Sequence, residues 1–499
     1  MNRVFKSIAE HAVKKPEIIA LHSGPRKISY AELNDEIKRT ATFFIENNIR
    51  VLGLYLDNCI EWVLADLAAQ YAGITLVPLP LFFSGEQIKF IFTKTRIDSV
   101  ISFDNEIITE IFNADSISEL APGINLYRCK SRHESYNSLK NTGKITFTSG
   151  TTGQPKGVCL TNESLMDVAS SLLNVTSSLD IESHLCLLPL STLLENIAGI
   201  YSPLLKGVTC QLPSIRDTGL RGATELDVSR MIDCVNYYKP NSVIFFPQML
   251  NDLVNEAESG VQITDALKFV ATGGGVIPPS LIKRARKMKL PVYEGYGLSE
   301  CASVVSLNVP GNESIGSTGK IFNNIEIRIA DDNEVLLKGN FMQGYLAGDP
   351  LHRNDWIATG DVGNLDKDGF LHITGRKKNI FITSFGRNVS PEWTESEITG
   401  LPGIKNAVVF GESKPANCAV IVTANNNIPD SLVETAIDKA NKNLPDYARI
   451  HYWIRAKENF SSENGLCTTN GRPVRDKIYS IYRAEIENCY KKTSLLWSA

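Results

Sequence analysis

The sequence carries no surplus of basic charge: 51 Lys and Arg stand against 55 Asp and Glu, a formal net charge of −4. That balance argues against a nucleic-acid partner and against an acidic disordered tail. The ten cysteines are scattered, with no Cys-x-x-Cys and no Cys/His group at metal-ligand spacing. Their pattern speaks against a disulfide framework or a zinc site and for reduced thiols in a cytoplasmic compartment. The opening stretch MNRVFKSIAEHAVKKPEIIA has no signal-peptide apolar run; Val4, Ile8 and Val13 fit an amphipathic helix instead. Internal repeats and low-complexity tracts are lacking too. One apolar stretch, CLLPLSTLLENIAGIYSPLLKGV (186–208), is long enough to cross a bilayer, but Glu195 lies near its centre and prolines interrupt both ends. A charge at mid-bilayer is costly, so the stretch is read as a buried helix with a polar residue at a site. No integral membrane segment is expected.

What is present is alternation. The 499 residues exceed what one hydrophobic core serves, so two or more domains are expected. VISF (100–103), KITFT (144–148), SVIFF (242–246) and LKFVATGG (267–274) read as short strands with helical patterns between them. Leu165, Val168, Ala169, Leu172 and Leu173 make one apolar helix face, with Thr161 or Asn162 as its N-cap. Such alternation predicts an α/β fold with mostly parallel sheets. After residue 310, Gly-rich turns separate strands such as IEIRIA (325–330) and EVLLKG (334–339), and DKDGFLHI (366–373) reads as a hairpin. A boundary is placed near Lys378, giving a large N-terminal domain over 1–377 and a small α+β C-terminal domain over 378–499.

The segment TFTSGTTGQPKG (146–157) concentrates hydroxyls and glycines around one lysine, Lys156. Small residues let backbone N–H groups approach an anion, and Lys156 adds positive charge. Composition alone is better explained by a polar turn than by a phosphate loop. A Walker P-loop, GxxxxGK[ST], is excluded, because Lys precedes Gly here and Val158 stands where a magnesium-binding hydroxyl would be.

The order S-G-T-T-G-x-P-K-G resembles the signature of the acyl-adenylate-forming (AMP-binding) superfamily. Further segments resemble its other motifs in order: TGGGVIPP (272–279), YEGYGLSE (293–300), NEVLLKGNFMQGYL (333–346), WIATGDVG (356–363), GRKKNIFITSFGRNVSPEWTESEI (375–398) and NGRPVRDKI (470–478). The resemblance covers essentially the whole chain and is nearest in character to long-chain fatty acyl-CoA synthetases. It implies a distorted β-barrel in the N-terminal domain and a mobile C-terminal domain hinged at Lys378.

The resemblance also implies roles. Thr148, Ser149, Gly150, Thr151, Thr152, Gly153 and Lys156 hold the β- and γ-phosphates of ATP. Glu300 binds Mg2+, a hard cation suited to carboxylate oxygen. Ser299 contacts the α-phosphate, and Tyr296, followed by Gly297, stacks on adenine opposite Gly273, Gly274 and Gly275. Asp361 accepts both ribose hydroxyls, Arg376 contacts ribose or phosphate, and Gly386 lines the tunnel for a thiol arm. The implied chemistry is attack of a small-molecule carboxylate on the α-phosphate with loss of pyrophosphate, then acyl transfer to a thiol, coenzyme A in the leading reading.

Two positions depart from the pattern. Arg472 stands where the family carries the lysine that bridges acyl carboxylate and α-phosphate, and an Arg-for-Lys exchange is not conservative at a tight site. Thr192 in LPLSTLLEN (188–196) stands where fatty acyl-CoA synthetases have histidine. Leu187, Leu193, Leu194 and Ile197 are candidate acyl-pocket lining, with a plain core role as the alternative. Transfer to an acyl carrier protein, β-lactone closure of a 3-hydroxyacyl-adenylate and a non-catalytic nucleotide-binding role remain open beside the medium- or long-chain fatty acid reading. The last is disfavoured by the retained Lys156, Glu300, Asp361 and Arg376.

Overall fold

The computed structural model describes residues 2–103, 105–130, 141–148, 155–222, 225–468 and 471–494. Two large mixed sheets form its body. In the nine-stranded sheet, Val292–Leu298, Phe269–Thr272, Ser242–Phe245, Ser183–Leu185, Thr209–Gln211 and Ile19–Ser23 lie side by side in parallel, with antiparallel strands at both edges. In the eight-stranded sheet the parallel centre is Thr142–Thr148, Thr75–Pro78, Val51–Tyr55 and Ser99–Ser102. The central strand VLGLY is buried along its whole length, as a parallel strand covered on both faces must be. A core holding Trp62, Tyr30, Phe44 and Tyr201 joins residues of both sheets.

The helix after the glycine-rich loop runs Asn162–Thr176; the Thr161 side chain caps it by accepting from Ser164 N, and Leu165, Val168, Ala169 and Leu172 are buried on its inner face. Antiparallel strands Glu326–Ile329, Glu334–Lys338, Ile357–Leu365 and Leu371–Arg376 form a four-stranded sheet, and an isolated bridge between Lys320 and Phe370 ties it to the edge of the nine-stranded one.

The stretch 186–208 corrects the expectation of one long helix. Loop and turn run to Thr192, whose N–H donates to the carbonyl of Pro189. Proline restricts the residue before it away from helix and lacks a donor. A π-helical turn then spans Glu195–Tyr201 and continues as α-helix Ser202–Lys206. No helix among the described residues is long and apolar enough to cross a membrane.

The C-terminal part has a three-stranded sheet of Ile404–Phe410, Asn417–Thr423 and Ile450–Arg455 with helices Pro391–Thr399, Asp430–Asn443 and Arg475–Ser494. It is seated on the N-terminal part at Gly400, whose carbonyl accepts from Arg284 Nη1 at 3.0 Å. A Cβ at Gly400 would lie 2.7 Å from Pro278 Cβ and 2.6 Å from Ser280 Oγ, so the approach is close enough to require glycine.

Candidate active site

The site is built where strands end. Antiparallel pairing of Ile357–Leu365 with Leu371–Arg376 sets Asp361 opposite Arg376, and Arg376 Nε reaches Asp361 Oδ1 at 2.8 Å. From the nine-stranded sheet, the hydroxyl of Tyr296 donates to Asp361 Oδ2 at 2.5 Å. Burial pushes the Asp361 carboxyl above its ordinary value, while Arg376, the Tyr296 hydroxyl and Arg472 pull it back. Burial and the Asp361 charge hold the Tyr296 phenol far above its usual range, so it stays a donor. Each carboxylate oxygen offers two lone pairs; Asp361 therefore keeps acceptor capacity for further hydroxyls while it fixes the tyrosine ring. That tyrosine tether was not legible in the sequence.

Strand Val292–Leu298 ends in a tight turn. A Cβ on Gly297 would sit 1.5 Å from the carbonyl oxygen of Ser303, so only glycine lets the chain fold back into strand Ser303–Leu307. The turn Ser299–Cys301 presents Ser299 and Glu300, both half-buried. Glu300 Oε1 accepts from the hydroxyl of Tyr345 at 2.9 Å, and its Oε2 takes no hydrogen bond among the described residues. A half-buried carboxylate with one oxygen uncommitted fits a hard divalent cation.

Thr148 ends strand Thr142–Thr148, and Lys156 begins the antiparallel return strand Lys156–Thr161, with the two residues paired. The two strands that flank the loop are antiparallel neighbours, whereas a Walker site passes from strand to helix. Lys156 is exposed and its Nζ lies 5.5 Å from the centroid of the Tyr345 ring. Ser149, Gly150, Thr151, Thr152 and Gly153 lie outside the described residues. Gly273, Gly274 and Gly275 follow strand Phe269–Thr272, and a Cβ on Gly273 would lie 2.8 Å from the carbonyl oxygen of Gly295, one residue before Tyr296.

Arg472 enters from the C-terminal part. Its backbone is fixed by a turn in which Thr468 N donates to Arg472 O at 2.7 Å and Arg472 N donates to Thr468 Oγ1 at 3.2 Å. The side chain retains an exposed surface although protein crowds around it. Loss of solvent and the nearby Arg376 lower its pKa, whereas Asp361, Glu300 and Glu392 raise it. Lys378 is lowered by partial burial and by the same two cations, Arg376 and Arg472. Cations from both parts of the chain therefore gather beside Asp361 and Glu300, as a polyanionic ligand requires. Gly386 is not brought to this cluster; it lies at the exposed tip of hairpin Phe381–Ile382/Asn388–Val389, with its N–H on Thr383 O at 2.9 Å.

Two buried polar groups flank the π-helical turn. His184, Cys186 and Glu195 bring their donor atoms within 4.8 Å of one another, a gathering that spacing in the sequence did not announce. Each is already engaged. His184 meets Glu195 Oε1 at 3.0 Å and Ser242 Oγ at 2.9 Å, Leu188 N donates to Glu195 Oε2, and Cys186 Sγ faces Gly199 O. The set is a closed structural cluster. Beside it, Lys144 Nζ lies 2.8 Å from Asp66 Oδ1, a close ion contact without hydrogen-bond alignment, and donates to Tyr201 Oη at 2.8 Å and to Asn196 Oδ1. Of the candidate acyl-lining residues, Leu187, Leu193 and Ile197 are buried in the cores and Leu194 is partly buried between them.

A layered α/β body with a small C-terminal domain, and with Asp361, Arg376 and Tyr296 joined where its strands end, has the architecture of an adenylate-forming enzyme. The chain belongs to the AMP-binding enzyme family: the family profile matches residues 8–346, and that of the AMP-binding enzyme C-terminal domain matches residues 378–494. A 2-succinylbenzoate–CoA ligase of Bacillus velezensis (strain DSM 23117 / BGSC 10A6 / LMG 26770 / FZB42) is 32% identical over 301 residues, 56% of this chain and 58% of that protein. The long-chain-fatty-acid–CoA ligase FadD15 of Mycobacterium bovis (strain ATCC BAA-935 / AF2122/97) is 24% identical, with 93% of this chain and 92% of that one covered. The fold is similar to that of o-succinylbenzoate coenzyme A synthetase from Bacillus subtilis in complex with ATP and magnesium ion, at a TM-score of 0.73 and 23% identity over 94% of this chain and 98% of that one.

Proposed function

We propose that this protein is an ATP-dependent, AMP-forming ligase that activates a small carboxylic acid and passes the acyl group to a thiol, coenzyme A in the first instance. The observation that carries the reading is the network in which Asp361 meets Arg376 and Tyr296, and Tyr345 links Glu300 to Lys156, with Arg472 near enough to feel the charges of Asp361, Glu300 and Arg376. Asp361 takes the ribose hydroxyls on its remaining lone pairs, and Tyr296, its hydroxyl tethered, offers a fixed ring to adenine beside Gly273–Gly275. Thr148, the loop residues Ser149 to Gly153 and Lys156 hold the terminal phosphates, with Ser299 at the α-phosphate. Glu300 is the magnesium ligand; when bound, the ion neutralises polyphosphate charge. The acid's carboxylate oxygen forms a bond to the α-phosphorus as the bond to pyrophosphate breaks, and Arg472 and Arg376 stabilise the charge that develops there. The thiolate then attacks the acyl carbon and AMP departs. No side-chain nucleophile is needed in either step. We place the division between the two domains at residues 377 and 378, with Lys378 as hinge and Gly386 reaching the thiol arm in a second pose.

The acid has an apolar body. A medium- or long-chain fatty acid is supported by the near-complete span of the match to FadD15; an aromatic acid is the second reading, favoured by the higher identity to the succinylbenzoate ligase. The burial of Leu187, Leu193 and Ile197 in the cores removes one argument for the fatty chain. ATP–pyrophosphate exchange across fatty and aromatic acids, with and without coenzyme A, tests the proposal. Exchange with one class identifies the acid, exchange without thioester points to a carrier protein or to β-lactone closure, and silence with every acid refutes ligase activity.

A further inference from the structure

Tyr345 touches both charged arms of the phosphate end of the cleft. Its hydroxyl donates to Glu300 Oε1 at 2.9 Å, and its ring lies 5.5 Å from Lys156 Nζ. The backbone around it repeats the same bridge. Strand Gly344–Tyr345 pairs with Lys156–Thr161, placing Tyr345 opposite Val158, and Leu346 N donates to Gly157 O at 2.7 Å. On the other side Met342 N donates to Glu300 O at 2.9 Å. Residues 342–346 are thus bonded both to the strand that carries Lys156 and to the turn that carries Glu300. A phenol O–H donates and a carboxylate oxygen accepts, so the bond runs from Tyr345 toward Glu300.

We propose that Tyr345 is a positioning residue that orients the Glu300 carboxylate for a divalent cation and, through its ring, the Lys156 ammonium for polyphosphate. The terminal torsion of a glutamate is soft. A phenol donor on Oε1 stops that rotation and leaves Oε2 turned to the ion, in the way outer partners orient ligands at other metal sites. The ring face holds the lysine electrostatically. Both halves rest on the roles proposed above for Glu300 and Lys156.

The test uses the full chain with Tyr345→Phe, which keeps the ring and removes the hydroxyl, and Tyr345→Leu, which removes both. Melting temperature is followed on adding ATP alone and ATP with Mg2+, and the Mg2+ concentration for half-maximal pyrophosphate exchange is measured. In Tyr345→Phe the shift with ATP alone persists and the Mg2+-dependent increment is lost. Its half-saturating Mg2+ rises about 10- to 100-fold, the range for loss of a ligand-orienting partner, and the acid KM is unchanged. In Tyr345→Leu the shift with ATP alone falls as well. A phenylalanine variant with wild-type Mg2+ response, or one whose acid KM rises in step with its Mg2+ requirement, overturns the positioning role while the ligase reading stands. A wild-type chain that responds to neither ATP nor Mg2+ overturns both.

Discussion

Arg472 occupies a position where resemblance leads one to expect lysine. Burial and the Arg376 charge lower the pKa of its guanidinium, and the charges of Asp361, Glu300 and Glu392 raise it; a delocalised guanidinium is more weakly hydrated than an ammonium. We expect Arg472→Lys to retain or raise pyrophosphate exchange and Arg472→Ala to lower it by about 10²-fold, the scale of losing one charge-stabilising donor; normal exchange by the alanine variant would exclude Arg472 as the bridging cation. The residue types of this site were legible because motifs name them, whereas the Tyr296–Asp361 and Tyr345–Glu300 bonds were not, since each joins strands from separate parts of the sequence. Asp252 shows a second effect invisible in sequence. Burial pushes its carboxyl up to about 6 against the opposing Gln248 hydrogen bond and Lys405. A folded value above the unfolded one means that the folded chain keeps the proton longer, so this stabilising contribution is complete below about pH 4 and is lost as pH rises through 6. Asp252→Asn should therefore stabilise the protein by about 1–2 kcal/mol at pH 8, after discounting for partial exposure, and by little near pH 4. Denaturant midpoints at the two pH values check the sign, and an equal gain at both would contradict it.

At the scale of elements, the Glu195–Tyr201 turn joins the two large sheets. Glu195 bonds His184 on a strand of the nine-stranded sheet, and Asn196 and Tyr201 bond Lys144 on a strand of the eight-stranded one. Isolated π turns are uncommon and concentrate at functional places; here two consecutive inward residues serve opposite sheets. Breaking the buried Lys144–Asp66 pair from one side leaves an uncompensated charge. Lys144→Met should cost about 3–5 kcal/mol, and the double variant Lys144→Met/Asp66→Leu should recover most of that loss. Thermal unfolding of the single and double variants decides it; Asp66 Oδ2 also accepts from Asn196 and Tyr201, so a double variant no better than the single one would mean that these buried bonds to Asp66 outweigh relief of the lone charge. Hydrophobic periodicity revealed the buried face of helix Asn162–Thr176, and the structure chooses Thr161 over Asn162 as its cap. It failed over 186–192, where leucine density suggested helix while Pro189 imposed a turn.

For the whole molecule, the alternation of elements foretold layered parallel sheets, but periodicity is silent about which edges meet. The seat of the C-terminal part on Pro278, Ser280 and Arg284 is such a meeting. Gly400→Leu has no room there, and the rigid Pro278 ring cannot yield. We expect the two parts to separate, with the radius of gyration rising by about 1 Å on a compact value of roughly 23 Å while circular dichroism is unchanged. An unchanged radius in solution scattering would show that other contacts hold the pose.

The strand pairings also constrain how the chain acquires its shape. Ile19–Ser23 lies against Thr209–Gln211, and Lys156–Thr161 gains its last neighbour only at Gly344–Tyr345. At ribosomal speeds of about 5–20 residues per second, the first strand waits on the order of 10–40 s for its parallel neighbour, and the outer edge of strand Lys156–Thr161 stays open for a similar time. Parallel sheets assembled from such distant segments form slowly and leave exposed edges on the way. The C-terminal sheet closes within a short contiguous stretch and needs no such wait. A nascent chain of this protein therefore carries unpaired strand edges through much of its synthesis.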